Sequence, residues 1–249
     1  MPRICWDNRE HHFWDGFSGG FLPRNTIVND VNVVNSVDER SVCISFFYIA
    51  NFIKVTQSWR FEEPEEEGVL SWDTTYRFEN RNSFAVKDYA AFFACYHQAG
   101  TNYYWHTDET LSKCADSFSA AASEKRQLRA RRLMASYAEI VKGWGIKNPT
   151  RAQVLYAKPV LASREREWFN NGQHVILVEP EKCLSVVSAM NQARDYMLCP
   201  EQDELGPQET FTARVRHIVG KTSGIDDLKR RWDLFVNSLA ESRATRDAP

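Results

Sequence analysis

The C-terminal end of the chain carries the pattern that most restricts the fold. Over residues 210–219, apolar side chains alternate with polar ones, which is the period of a β-strand with one buried face. That face contains Phe211, Ala213, Val215, His217 and Val219. Apolar residues then recur in steps of 3 and 4, the spacing of an amphipathic helix that Thr222 or Ser223 would cap. They are Ile225, Leu228, Trp232, Phe235 and Leu239. A strand and a helix that each bury one face predict helices packed on a sheet.

The first third of the chain is typical of β-strands. Residues 27–34 alternate Val or Ile with Asn or Asp, and residues 41–55 are β-branched and aromatic, which predicts a buried strand. Two further strands, over residues 58–61 and 69–79, flank the acidic run 62–68. Because its charges repel and its Pro and Gly interrupt strands, this run is predicted to form a solvated hairpin loop.

Helices are predicted in three other segments, over residues 83–100, 116–144 and 184–197. The first would be capped by Ser83 and would end near Gly100. Its apolar positions are Val86, Tyr89, Ala90 and Phe93. Strands are expected over residues 153–161 and 174–178, with the turn-forming sequence Asn170-Asn171-Gly172 between them.

These elements predict an α+β fold. The chain has 249 residues, of which 43% are hydrophobic and 13% aromatic, so it is long enough to bury a core and is not a disordered polypeptide. We expect a single α+β domain over residues 1–249, with a mainly antiparallel sheet, a β-rich N-terminal half and helices packed on the sheet. A subdivision near residues 108–115 is conceivable, although no linker-like composition marks it.

Targeting signals are not visible in the sequence. No stretch of about 18 apolar residues is present, and the N-terminus lacks the basic-then-apolar pattern of a signal peptide. We therefore expect a cytoplasmic protein whose six cysteines are free thiols. The net charge of −2 excludes an overall basic field of the kind that coats nucleic acid.

An acidic pair, Glu165 and Glu167, offers the first catalytic hypothesis. Separated by one residue, the two carboxylates would project to the same side of an extended chain. One would fix a ribose hydroxyl while the other stabilises an oxocarbenium-like centre. This Glu-x-Glu pair before a strand resembles the acidic motif of ADP-ribosyltransferases. The resemblance implies a transferase that uses NAD, with Ser45 on a Ser-containing strand and Arg24 or Arg3 as further NAD-binding residues.

A second enzymatic hypothesis rests on Glu179, Glu181 and Lys182, which follow the apolar segment 174–178. An apolar strand that ends in acids and a lysine, before a helix, resembles the core of restriction-endonuclease-type nucleases. That resemblance implies carboxylates that hold Mg²⁺ and a lysine that stabilises the attacking water. The spacing departs from the family pattern, which has one residue between the acid and the lysine, whereas Glu179 and Lys182 have two between them.

Two kinds of macromolecular partner are also compatible with the sequence. Five positive side chains within eight residues would follow a phosphate backbone, with nearby aromatic residues stacking on bases. They are Lys125, Arg126, Arg129, Arg131 and Arg132. Alternatively, the protein is a non-catalytic interaction factor, viral, effector or accessory, because 8 Trp and 15 Phe residues are enough for a large apolar contact surface. A concave charged pocket would favour the enzyme, and a flat apolar patch would favour the interaction factor.

Overall fold

The fold is taken from a computed structural model. The structure describes residues 3–6, 9–17, 28–34, 41–48, 53–63, 66–87, 89, 91–98, 123–129, 160–164, 173–188, 194–202, 204–220 and 225–247. In these ranges every pair of neighbouring strands is antiparallel.

The strands form three sheets. In chain order they are β1 (Arg3–Trp6), β2 (Arg9–Phe17), β3 (Val28–Val34), β4 (Ser41–Tyr48), β5 (Ile53–Phe61), β6 (Val69–Asn80), β7 (Val86–Lys87), β8 (Ala91–Gln98), β9 (Val160–Arg164), β10 (Gln173–Val178), β11 (Cys183–Ser188), β12 (Arg194–Leu198), β13 (Glu204–Leu205) and β14 (Thr210–Gly220). The large sheet has seven strands in the order β3-β4-β5-β6-β14-β10-β9. The small sheet has five, in the order β1-β2-β8-β12-β11, and β7 pairs with β13.

Two helices lie in the described ranges. Helix α1 covers residues 124–129, and helix α2 covers Ile225–Asp247. Asp226 and Asp227 occupy the first turn of α2, where carboxylates stabilise the positive end of the helix dipole. Neither described helix is long and apolar enough to cross a membrane.

One face of the large sheet packs against residues of the small sheet. Ile176, Ala213 and Val215 of the large sheet belong to the same buried cluster as Tyr196 and Leu198 of β12. The hydroxyls of Tyr76 on β6 and Tyr196 on β12 lie 2.6 Å apart, so a buried hydrogen bond joins the two sheets as well. We call this side of the large sheet its inner face.

Helix α2 packs on the opposite face of the large sheet, which we call the outer face. Its apolar residues contact Val69, Val175, Leu177 and Ile218. The helix side of this cluster consists of Leu228, Trp232, Phe235 and Leu239. The exposed fraction of Trp232 is only 4%, and these four residues of the predicted stripe are all buried. The described architecture is therefore a mainly antiparallel, sheet-rich α+β arrangement.

Several predicted elements are confirmed. Strand β14 matches the predicted strand 210–219, with its alternating residues on the inner face, and β10 matches the strand 174–178. Strands β5 and β6 pair as the hairpin expected around the acidic run. In the described part of that run Glu63, Glu66 and Glu67 are exposed, as expected of a solvated loop, and Glu66 forms an exposed ion pair of 2.7 Å with Arg230 of α2.

Three predictions are wrong. Residues 41–55 do not form one strand, because β4 and β5 pair antiparallel across them. The segment 83–100 contains the strands β7 and β8 where a helix was predicted. The segment 184–197 contains β11 and β12, which pair with each other. In both segments that were expected to be helical, the apolar spacing also fits a helix. However, β8 and β12 pair side by side in the small sheet, and such tertiary pairing outweighs the preference of local spacing.

Other predictions lie outside the described residues. These are the subdivision near 108–115, the turn at Asn170-Asn171-Gly172, and all of the helix 116–144 except residues 123–129. Strand β9 covers the end of the segment 153–161 and continues past it to Arg164.

Candidate functional site

A network of charged side chains lies on the outer face of the large sheet. Arg214 and Arg216 of β14 lie there because they alternate with the inner residues Ala213 and Val215. Asp73 of β6 is directly opposite Arg216. It accepts hydrogen bonds from Arg216 Nε at 2.7 Å, from Arg216 Nη2 at 2.9 Å and from Arg214 Nη1 at 3.2 Å. Two guanidinium groups thus compensate one buried carboxylate.

The same network reaches the C-terminal turns of helix α2. Arg214 Nη2 donates to the carbonyl of Ser238 and to the hydroxyl of Ser242, each at 2.9 Å. Arg243 donates to Glu179 at 2.9 Å and also to Glu181. These bonds to Glu181 and Glu179 raise the pKa of Arg243, and the bond from Arg243 lowers the pKa of Glu181. The end of the helix is therefore tied to the sheet by charge-assisted hydrogen bonds.

A cavity of about 260 Å³ lies between this part of the helix and the outer face. We call it the arginine cavity. Its lining comprises Arg60, Glu62, Asp73, Thr75, Glu179, Thr212, Arg214, Leu239, Ser242 and Arg243. The sheet supplies one wall, from β5, β6 and β14, and helix α2 supplies the other.

Three groups in the arginine cavity are not used by the network. Arg60 of β5 is directly opposite Asp73, yet Asp73 takes its hydrogen bonds from Arg214 and Arg216 instead. Within the described ranges, no hydrogen bond or ion pair involves the side chain of Arg60, Thr75 or Thr212. One guanidinium group and two hydroxyls are thus available to a ligand.

A larger cavity of about 660 Å³ adjoins the arginine cavity and shares Glu179, Thr212 and Arg243 with it. Its lining is richer in carboxylates than in cations. The acidic residues are Glu179, Glu181, Glu201, Glu204 and Glu209, and the cations are Lys182 and Arg243. The arginine cavity thus has three arginines and three acidic residues in its lining, whereas the larger cavity has an excess of acidic residues.

The transferase residues predicted from sequence are mostly outside the described ranges. The structure does not describe Glu165, Glu167 and Arg24. Ser45 lies in β4 and Arg3 lies in β1, but the structure describes only the strand position of these two residues and not their side chains. Strand β9 ends immediately before Glu165, and four strands separate β4 from β9. At about 4.8 Å per strand, five steps along a flat sheet amount to about 24 Å. The strand order alone thus does not bring Ser45 near the acidic pair.

The nuclease residues belong to the arginine network. Glu179 accepts from the backbone N–H of Arg214 at 3.0 Å and from Arg243, which also binds Glu181. Lys182 forms an ion pair of 3.5 Å with Glu201. No group of three His, Cys, Asp or Glu residues in the described part of the chain is arranged to hold a metal ion. A single guanidinium group, that of Arg243, thus bridges the two carboxylates Glu179 and Glu181.

The basic segment is only partly described. Arg126 of α1 donates to the backbone carbonyls of Pro180 and Cys183. Arg129 donates to Cys199 Sγ at 3.4 Å and to the carbonyl of Pro200 at 3.3 Å. These two side chains therefore hold α1 against the ends of β10, β11 and β12. Lys125 is exposed, and Arg131 and Arg132 lie outside the described residues.

The inner face contains a buried histidine, His217. His217 is completely buried, and its imidazole stacks on Trp72 with ring centroids 5.0 Å apart and planes 2° apart. Burial lowers the pKa of His217 from 6.5 to about 3, because the interior disfavours the charged form. At neutral pH this histidine is therefore an uncharged member of the core.

Sequence reasoning did not find the arginine cavity. The signal was present in β14, where Thr212, Arg214 and Arg216 occupy alternate positions opposite an apolar face. Charged residues at this spacing predict an outer face, but nothing in the sequence places Asp73 or Arg60 beside them. No protein-family model and no curated protein matches the chain.

Proposed function

We propose that this protein binds an anionic small molecule of the nucleotide class, and that the arginine cavity receives the anionic group. The observation that carries this proposal is that Arg60 lines the cavity and that its side chain has no hydrogen bond or ion pair in the described ranges. The hydroxyls of Thr75 and Thr212 line the same space. A guanidinium group with neighbouring hydroxyl donors is the usual recognition chemistry for phosphate.

The paired residues of the network support this assignment. Asp73 is satisfied by Arg214 and Arg216, and Glu179 and Glu181 are satisfied by Arg243. Arg60 is therefore not required to compensate a buried carboxylate. An exposed arginine that faces a cavity keeps its hydrogen-bonding capacity for an incoming anion.

The sizes of the two cavities favour a ligand with two chemically different parts. About 260 Å³ is ample for a phosphate group but is below the size of about 300 Å³ at which pockets for whole cofactors or drug-sized ligands begin. The remainder of the ligand would occupy the neighbouring cavity. Carboxylates such as Glu209 and Glu201 accept hydrogen bonds from sugar hydroxyls there, as acidic residues do for ribose in dinucleotide sites. A nucleotide supplies both parts.

Calorimetric titration with inorganic phosphate, ADP and NAD tests the proposal. We expect ADP to bind more tightly than phosphate, and the Arg60→Gln variant to lose at least about tenfold in affinity, as when a charged hydrogen bond is removed. Arg77→Gln is the matched control, because Arg77 is on the same face, pairs with Glu79 at 3.3 Å and does not line the cavity. Absence of binding by all three probes, or equal affinity in both variants, would refute the proposal and favour the interaction factor.

The transferase hypothesis remains a second proposal for the same class of ligand. It is supported by the order of the elements, since Glu167 precedes β10, the buried strand that the ADP-ribosyltransferase resemblance requires after its acidic motif. In the sequence the acidic pair precedes β10, whereas Glu179 of the arginine cavity follows it, and therefore the two can be tested separately. Glu167→Gln is expected to lower turnover of NAD by about 10²-fold or more, because the carboxylate acts on a developing cation.

Arg166→Gln is the control for that experiment, because neighbouring residues in an extended segment project to opposite sides. It should change the turnover of NAD little. If neither substitution changes an activity that the wild-type protein shows, the acidic pair is surface charge.

A further inference from the structure

We infer that occupancy of the arginine cavity controls how firmly the last turns of helix α2, residues 240–247, are docked on the large sheet. This inference rests on the proposed function, since it assumes an anionic ligand in that cavity. The inference goes beyond the proposed function in stating that the ligand contacts both the large sheet and helix α2.

The helix changes its mode of attachment at Leu239. Before this residue, α2 is held by apolar side chains, of which Leu228 and Phe235 are completely buried. Leu239 is the last helix residue in the buried cluster. Beyond it, the contacts with the sheet that the described residues make are polar, from Arg214 to Ser242 and from Arg243 to Glu179 and Glu181.

The polar contacts at the end of the helix differ in how far water reaches them. The side chains of Arg243 and Glu181 are 49% and 52% exposed, whereas those of Glu179 and Arg214 are only 9% and 18% exposed. Ion pairs that remain accessible to water contribute little net stability, and they weaken further as salt rises. Helix ends with few buried apolar contacts open locally without global unfolding. Residues 240–247 are therefore the part of the helix at which local opening would begin.

The arginine cavity exists only when this segment is docked. Arg60, Thr75 and Thr212 belong to its sheet wall, whereas Ser242 and Arg243 belong to its helix wall. An anion that binds both walls has a full site in the docked form and half a site in the undocked form. A ligand that prefers one of two conformations shifts the equilibrium towards it by its difference in affinity.

Arg214 makes the coupling direct. Its guanidinium group lines the cavity and also donates to the carbonyl of Ser238 and the hydroxyl of Ser242. A ligand that fixes this guanidinium group also fixes the donors that hold the helix. The ligand therefore determines whether the C-terminal segment is presented to solvent or kept on the sheet.

Hydrogen–deuterium exchange with ADP as the probe tests this inference. At a free ADP concentration ten times the Kd from calorimetry, a ligand that binds only the docked form shifts the docking equilibrium about 11-fold. We expect amide exchange over residues 240–247 to slow by up to that factor, and exchange over 228–235 to change little. Arg77→Gln should keep the effect and Arg60→Gln should lose it.

The outcomes separate this inference from the proposed function. If ADP binds by calorimetry and exchange over residues 240–247 is unchanged, the coupling is refuted and the binding function stands. If ADP, NAD and phosphate all fail to bind, both are refuted. If exchange slows equally along the whole helix, ADP stabilises the fold globally and the segment is not separately controlled.

Discussion

His217 makes the stability of this protein depend on pH in a defined window. Its imidazole is completely buried against Trp72, and burial lowers its pKa to about 3 in the folded protein. In the unfolded chain the same group has its ordinary pKa of 6.5. Between these two values the unfolded state binds a proton that the folded state does not, and acid therefore favours unfolding.

The magnitude follows from the two pKa values. The contribution of neutral His217 is complete above pH 6.5 and is lost progressively as the pH falls towards 3, at about 1.4 kcal/mol per pH unit. From pH 7 to pH 5 the free energy of unfolding should thus fall by about 2 kcal/mol. Glu181 does not contribute in this window, because its lowered pKa affects stability only as the pH falls below about 4.5.

Urea denaturation at pH 7, 6 and 5 measures this loss. His217→Phe retains a ring against Trp72 and removes the titration, so its free energy of unfolding should fall by about 2 kcal/mol less than that of the wild type over the same range. His217→Gln serves the same purpose if the phenyl ring does not fit. Equal losses in wild type and variants would refute the argument from burial.

Three further predictions concern stability and thiols. Trp232→Ala should lower the free energy of unfolding by about 3–5 kcal/mol, as for other buried aromatic residues, and a loss below about 1 kcal/mol in urea denaturation would contradict its packing on the sheet. Asn80→Ala should cost at least about 3 kcal/mol by the same assay, because the amide of Asn80 reaches the carbonyls of Phe84, Leu205 and Gly206. Thiol counting in denaturant without reductant should give all six cysteines, in keeping with free Cys183 and Cys199, and a count of zero or two would require disulfides.

Elements with one uninterrupted period could be predicted from the sequence. Strand β14 alternates from Thr210 to His217, and helix α2 repeats its apolar positions over four turns, so each pattern has one interpretation. Strand β8 was predicted as a helix because the apolar residues from Val86 to Phe93 also fit helical spacing. Its pairing with β2 and β12 depends on segments far away in the sequence, which local periodicity does not contain.

The arginine cavity could not be predicted for a related reason. Arg60, Asp73 and Arg214 come from three different strands, and Arg243 comes from the helix. Each is an ordinary charged residue in its own segment. Only the strand order β5-β6-β14, which inserts a late strand beside an early one, brings them together. The sequence motifs that suggested catalysis were local, whereas this site is not.

The insertion of β14 between β6 and β10 has a consequence for the synthesis of the protein. Asp73 and Arg214 are partners on adjacent strands but are 141 residues apart in the chain. At about 5–20 residues per second, a ribosome needs roughly 7–28 seconds to make the intervening segment. During that time β14 has not been made, so the edge of β6 that β14 will cover has unpaired backbone groups. Another nascent chain can pair with this open edge. Slow translation or a bound chaperone over this interval should therefore determine how much of the protein folds without aggregating.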